Sequence, residues 1–331
     1  MSKQYNWGIL GPGSIAHKFA SDLKLIPNAK LYAVGSRNIH RAKEFAEVHD
    51  VVKYYGSYEE LSADPKIDIV YIATPHVRHY ADSVLCMKNR KSVLCEKPVT
   101  MNAMQFKIMI QTAKECGVFF MEALWTRFIP SFKKCLELVE DKTIGDLRLI
   151  ESDFCFHAPY DTNGRLFNPS LGGGSLLDIG IYPAFIALEL AGKPQKMHAL
   201  ASFDKTGVDS SCSMIFHHPN DILSVLYSSL ITNGRIESIV HGSKGFLRLN
   251  KCWHIPTSLD LIKDDGSNRH FDFEKPGYGY QYEAEEVMKC LDEGKTESEI
   301  FPWAKSSDLI SVLDSVRSLA GITYPDEIES I

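Results

Sequence analysis

The sequence predicts an α/β protein in two parts, a doubly wound parallel sheet followed by an α+β region built on a mainly antiparallel open sheet. Through the first third of the 331 residues, short apolar runs alternate six times with stretches of helical spacing. That rhythm belongs to parallel strands joined by right-handed crossovers. After Trp125 it stops, and between about Met197 and Phe273 apolar runs are separated only by short turns. Such connections join neighbouring strands antiparallel.

Taken in order, Trp7-Gly8-Ile9-Leu10 reads as the first strand, and Ile15, Phe19, Leu23 and Ile26 mark a helix from Ser14 to Leu25. A strand spans Ala29 to Ser36, a helix Arg41 to Val48, a strand Val51 to Tyr55 and a short helix Tyr58 to Ser62. Ile67 to Ala73 is a strongly apolar strand, His79 to Lys88 is helical, and Lys91 to Cys95 is the next strand. Met104 to Cys116 is a helix ended by Gly117, and Val118 to Met121 is one more strand.

In the second part a helix from about Ser131 to Glu140 leads into a strand from Leu147 to Phe156. A loop rich in Gly, Asn and Pro runs from Pro159 to Gly174, and Ser175 to Leu190 is a further helix. Turns at Pro219-Asn220-Asp221, Asn233-Gly234, Gly242-Ser243 and Asp265-Gly266 punctuate the strands that follow. Helices from Tyr282 to Leu291 and Ser306 to Leu319 close the chain, and the division falls near Leu124, into residues 1–124 and 125–331.

A net charge of −6 leaves no general basic surface, which argues against nucleic acid and anionic membrane as partners. No uninterrupted apolar run approaches the roughly 18 residues of a membrane span, and the amino terminus lacks the apolar core of a secretory signal. The eight cysteines form no Cys-x-x-Cys pair. Scattered in this way they suit reduced thiols and a cytoplasmic setting.

Gly11-Pro12-Gly13-Ser14-Ile15-Ala16 sits directly between the first strand and the first helix. Gly11 suits the tight turn, Gly13 lets a pyrophosphate approach the backbone, and Ala16 is the small residue where helix packs on strand. The string is therefore a dinucleotide-binding loop of the Rossmann kind, with Gly11, Gly13, Ser14 and Ile15 at the cofactor. An NAD site usually places a carboxylate at the end of the second strand. Here Ser36 and Arg37 stand at that end, with Arg41 one helical turn further on. A hydroxyl and two guanidinium groups suit a 2′-phosphate, so NADP is favoured over NAD. Thr74, Pro75, His76 and His79 leave the fourth strand beside the cofactor. His76 and His79 have the spacing of metal ligands on a helix but no third ligand nearby, so no metal is expected.

Lys91 to Pro98 ends an apolar strand on a charged pair, Glu96 and Lys97, that no core tolerates unpaired. Both should face a cleft, and Pro98 stops the strand and restricts Lys97 to extended geometry.

Gly11-x-Gly13-x-x-Ala16, Ala73-Thr74-Pro75 and Glu96-Lys97-Pro98, followed by a mainly β second half, resemble the Gfo/Idh/MocA family of NAD(P)-dependent oxidoreductases over essentially the whole chain. Gly172-Gly173-Gly174-Ser175-Leu176-Leu177-Asp178-Ile179-Gly180-Ile181-Tyr182-Pro183 matches the family's glycine-rich start of a helix bearing Asp and, four residues on, a second polar group. Many members have histidine there; this chain has Tyr182. That tyrosine, with Met121 to Phe128 and Ser36-Arg37, is similar to a narrower group, the dimeric trans-dihydrodiol dehydrogenases and the related NADP-dependent D-xylose dehydrogenases. The resemblance implies NADP, a two-domain subunit, and homodimers formed through the open sheet face. It also implies a substrate-pocket role for Phe154.

On this reading residues 1–124 bind NADP and both Glu96 and Lys97 contribute to that site; residues 125–331 hold the substrate and the dimer contact. Asp178 and Tyr182, four apart on a helix, share one face. If that face meets the end of the Lys97 strand, the two groups converge on the reacting carbon. Hydride leaving a carbinol requires a base for the hydroxyl proton, and a neighbouring ammonium brings a tyrosine from about 10 toward working pH. Tyr182 is then the acid/base, Lys97 its electrostatic partner, and Glu96 and Asp178 orient them; the reverse assignment, Lys97 as base, stays open. Trp125 and Phe154 are the aromatic groups most suited to a sugar, polyol or cyclic dihydrodiol, while Arg165 reads as a solvated loop arginine. Two other readings are a non-catalytic NADP-binding regulator and an enzyme that retains its cofactor with no net redox.

Overall fold

The computed structural model describes residues 3–325; the ends of the predicted division, 1–2 and 326–331, lie outside them. Two units emerge, one running through Trp125 and taking in Lys275–Ser307, the other comprising Thr126–Glu274 and the chain from Asp308 onward.

In the first unit six strands, β1 (Tyr5–Leu10), β2 (Ala29–Gly35), β3 (Lys53–Tyr55), β4 (Ile69–Ile72), β5 (Ser92–Glu96) and β6 (Phe120–Ala123), form one sheet. All pairs are parallel in the order β3-β2-β1-β4-β5-β6. Helices α1 (Ser14–Leu23), α2 (Ile39–His49), α3 (Tyr58–Ala63), α4 (His79–Lys88) and α5 (Ala103–Cys116) make the crossovers. Strands β4 and β5 are buried at every position, as strands covered on both faces must be. The order reverses between β1 and β4, which puts a crevice at their carboxyl ends. Asn38, Ser57 and Asn102 cap α2, α3 and α5 through their side chains, whereas α1 begins after Gly13 with no side-chain cap. Its first N–H groups are thus left to a ligand.

In the second unit α6 (Pro130–Glu140), β7 (Leu147–Cys155) and α7 (Ile181–Ala191) precede β8 (Lys196–Phe203), β9 (Asp209–His217), β10 (Leu223–Ser229), β11 (Ser238–Gly242), β12 (Gly245–Leu249), β13 (Leu259–Lys263) and β14 (Asn268–Phe271). Their order is β14-β13-β12-β11-β7-β10-β9-β8, antiparallel except for the β7–β10 pair. Alternation sorts the side chains: Met214, Phe216, Leu226, Val240 and Leu247 are buried, while Leu200, Ile215, Val225 and Tyr227 are exposed on the other face.

The helix expected from Ser175 to Leu190 is two pieces, a π-helical turn at Leu176–Gly180 and then α7. A side chain at Gly180 would come within 2.8 Å of Ser228 Oγ, so the turn packs backbone-close against β10. The stretch Pro169–Ala191 is long and apolar enough to cross a membrane by composition, yet 89% of its most apolar window is buried in the fold. It is a core helix.

Helices α8 (Gln281–Asp292) and α9 (Trp303–Ala320) close the chain. The segment 275–307 completes the first unit, a return that a linear cut at 124 does not contain. Asp22 of α1 accepts the N–H groups of Tyr278, Gly279 and Tyr280, at 2.9, 2.8 and 2.9 Å. Tyr5 donates to Asp292 at 2.6 Å, and Trp303 Nε1 to the carbonyl of Phe120 at 2.8 Å.

Candidate active site

The nucleotide end of the first unit is built around Gly11. Its φ is +87°, its N–H donates to Gly35 O at 3.0 Å, and a Cβ there would lie 2.8 Å from Ala73 O. Only glycine fits. Around Gly13 a Cβ would meet nothing within 4 Å, so the backbone is open to a ligand ahead of Ser14 and Ile15. Ser36 is buried at the end of β2, and Arg37 and Arg41 are exposed beside it. Arg41 Nη2 donates to Pro12 O at 3.4 Å. A phosphate-rich dinucleotide fits this arrangement: an uncapped helix, an open glycine backbone and two guanidinium groups.

The loop after β4 carries Thr74, whose buried hydroxyl has no hydrogen-bond partner. Pro75 precedes a 3-10 turn at His76–Arg78, and the His76 ring lies 5.7 Å from that of His79. His79 is fully buried, with Nδ1 2.7 Å from Pro98 O and Nε2 2.8 Å from Thr74 O. Burial pushes its pKa down, and the hydrogen bonds to the Pro98 and Thr74 carbonyls oppose that fall. Its part is to brace two loops.

Strand β5 ends on Glu96, and the Lys97–Pro98 bond is cis. Glu96 accepts the Tyr71 hydroxyl on one oxygen and the backbone N–H of Lys97 on the other. Val99 N–H donates to Glu122 Oε1 at 3.0 Å. Burial pushes Glu122 up to about 7, opposed by hydrogen bonds from Ser306 and Val99; Glu96 adds to the rise and Lys97 opposes it. Lys97 is half-buried. Trp125 is buried, its ring stacked on Tyr280 at 4.0 Å.

In the second unit Asp178 lies in the π turn, buried, and receives Arg165 through both guanidinium nitrogens, at 2.6 and 3.4 Å. Arg165 is therefore not merely solvated, as its loop position suggested; one end of it is fixed. Hydrogen bonds in a π turn span five residues, so the four-residue argument for a common face does not carry from Asp178 to Tyr182. Tyr182 is 5% exposed at the start of α7, with Phe154 at 5.5 Å, His254 at 5.3 Å and Trp253 edge-on at 6.5 Å. Phe154 in turn lies 4.2 Å from His254. The turn is anchored by Asp209, which accepts the Ser175 hydroxyl at 2.8 Å and the Leu176 N–H at 2.6 Å. Burial pushes Asp209 up to about 6, against those hydrogen bonds.

Lys97 and the predicted cofactor residues thus belong to one unit, and Phe154, Asp178 and Tyr182 to the other. Tyr71, Asp209 and His254 were not singled out from the sequence, Glu122 stood only within the Met121 to Phe128 stretch, and Tyr280 counted only among aromatic residues near the cleft. For Glu122 a signal existed, a carboxylate inside an apolar strand. Tyr71 had none.

The description "Oxidoreductase family, NAD-binding Rossmann fold" matches residues 5–124, and "GFO/IDH/MocA C-terminal domain" matches residues 132–248. The chain is 36% identical to trans-1,2-dihydrobenzene-1,2-diol dehydrogenase of Bos taurus over 334 residues, 97% of this chain and 98% of that one. The human enzyme of the same name is also 36% identical, with the same coverage. Among solved structures, a 3-ketoreductase from Actinomadura kijaniata in complex with NADP and TDP-benzene superposes with a TM-score of 0.88 at 22% identity, over 96% of this chain and 98% of that chain. A levoglucosan dehydrogenase in complex with NADH and L-sorbose gives 0.88 at 19%, over 96% and 97%. At those identities the likeness establishes the fold.

Proposed function

The chain belongs to the GFO/IDH/MocA family of oxidoreductases, and from that premise we propose that it transfers hydride between NADP and a secondary alcohol or carbonyl of a sugar, polyol or cyclic dihydrodiol. The observation that carries the reading is Lys97, held by its backbone N–H to Glu96 at the carboxyl end of a central parallel strand, where such sheets take their ligands. NADP rather than NAD follows from the end of β2, where Ser36, Arg37 and Arg41 stand and no carboxylate does.

The bound nicotinamide supplies the hydride chemistry. Gly11, Gly13, Ser14 and Ile15 seat the pyrophosphate; Thr74, Pro75, His76 and His79 shape the wall beside it. Lys97 donates to the substrate oxygen and favours the phenolate of Tyr182, which takes the hydroxyl proton on oxidation and returns it on reduction. Arg165 fixes Asp178, Asp209 fixes the turn that leads to Tyr182, and Phe154 and Trp125 offer aromatic faces to a ring substrate. In this reading residues 1–124 form the NADP half and residues 125–331 the substrate and dimer half. The exposed apolar face of the second sheet, with Leu200, Ile215, Val225 and Tyr227, is the surface on which a homodimer would close. The eight free cysteines go with a cytoplasmic setting.

The test is a fluorescence screen of NADPH against aldoses, polyols and cyclic diols, followed by Lys97→Met and Tyr182→Phe on the substrate found. Each variant should lose roughly 100- to 10,000-fold in kcat with NADPH affinity unchanged. Near wild-type turnover in both would overturn the assignment.

A further inference from the structure

Glu283 stands in the first turn of α8, fully enclosed, and neither carboxyl oxygen has a hydrogen-bond partner. Burying a carboxyl in this way costs free energy that an apolar side chain of similar size would not. Such a group calls for a reason.

The charges of Glu96, at the end of β5, and of Asp22, on α1, act on it. Aromatic rings tie these elements together: Tyr71 of β4 stacks on Phe19 of α1 at 3.8 Å, and Tyr280, just before α8, meets Phe19 edge-on at 6.3 Å. Asp22 is already filled by three backbone N–H groups. Glu96 is the carboxylate whose neighbour in the chain is Lys97, and it accepts the Tyr71 hydroxyl. Burial first, then the Glu96 and Asp22 charges, push the Glu283 carboxyl well above the carboxylate range. An enclosed carboxyl with neither oxygen paired neutralises rather than keep its charge, which leaves it an O–H to give.

We propose that Glu283 is a positioning residue of the active site, whose neutral carboxyl donates across one ordered water to Glu96 and so keeps Glu96 ionised beside Lys97. A buried water held by Glu283, Glu96 and Tyr71 has the polar partners such waters require. A hydrogen bond to the charged form of a carboxyl lowers its proton affinity. Glu96 then stays anionic to lower pH and keeps the charged acceptor that holds the Lys97 backbone, and with it the group that donates to substrate, in place. This inference rests on the role given above to Lys97.

The full chain with NADP bound serves for the test. The infrared spectrum of wild type minus that of Glu283→Gln at neutral pH, in which the bands of Glu122 and Asp209 cancel, should show the carbonyl stretch of a protonated, water-poor carboxylic acid. In Glu283→Leu, turnover of the sugar or diol found in the screen should lose its acid limb about one pH unit higher than wild type, a tenfold change in proton affinity. Unfolding should show that variant no less stable than wild type, and Glu283→Gln, which keeps an N–H donor, should return the limb to its place. An unmoved acid limb in folded Glu283→Leu, lowered stability with an unmoved limb, or no acid band in that difference spectrum would each overturn the proposal. The failures separate: full turnover in Lys97→Met sinks the catalytic reading and leaves the infrared band, whereas a missing band with Lys97→Met inactive sinks this inference alone.

Discussion

Glu122→Gln isolates a single buried proton and predicts how its loss changes stability with pH. Glu122 is 3% exposed, accepts the Val99 N–H at 3.0 Å, and has its pKa raised from an ordinary 4.5 to about 7, chiefly by burial. Between those two values the folded chain holds a proton that the unfolded chain has released. Stability from this group is therefore complete below 4.5 and is lost as pH rises through about 7. At about 1.4 kcal/mol per pH unit, the interval amounts to about 3 kcal/mol. Glutamine keeps the oxygen that accepts from Val99 and cannot ionise, so its stability should not follow this curve. Urea unfolding from about pH 5 to about pH 9, followed by tryptophan fluorescence, should show the two chains nearly level at the acid end. The glutamine variant should gain about 3 kcal/mol on wild type at the alkaline end. A difference independent of pH would refute the reasoning, because it would mean that Glu122 is ionised in the fold throughout.

Arg37→Ala should raise KM for NADPH by about ten- to a hundredfold, the worth of a hydrogen bond between charged groups, and leave KM for NADH nearly as it was; an equal effect on both cofactors would remove the 2′-phosphate from the argument. Leu200→Asp places a charge on the exposed sheet face, where Leu200 is 79% exposed. It should convert a dimer to a monomer in sedimentation with unchanged circular dichroism, and a wild-type chain that already sediments as a monomer would dispose of the interface.

Much of the fold was legible because its periods are clean. The parallel sheet follows from strands such as Ile69–Ile72 and Ser92–Glu96, buried at every position, alternating with helices whose caps Asn38, Ser57 and Asn102 are readable as residue types. The glycine loop was legible for the same reason: Gly11 has a conformation and a close neighbour that exclude every other residue. Three things were not. The π turn at Leu176–Gly180 has the same apolar composition as an α-helix, and what sets it apart is the packing of Gly180 against Ser228, which no local period records. The Arg165–Asp178 pair joins a loop to a helix, and loop conformation is poorly determined by local pattern. Glu283 lies on an amphipathic helix where a carboxylate ordinarily means a solvated face; that it is enclosed depends on tertiary packing such as that of α8 on α1, from the far end of the chain.

The return of residues 275–307 to the first unit also bears on how the chain is made. Tyr5 finds Asp292, Phe120 finds Thr296 and Trp303, and Asp22 finds Tyr278 to Tyr280. A ribosome working from the amino terminus delivers those partners only after every strand of the second sheet has been made. The unit whose strands are synthesised first is consequently completed only after the sheet of the other. A fragment cut after the sixth strand should reach its lowest free energy only when the missing piece is supplied as a separate peptide.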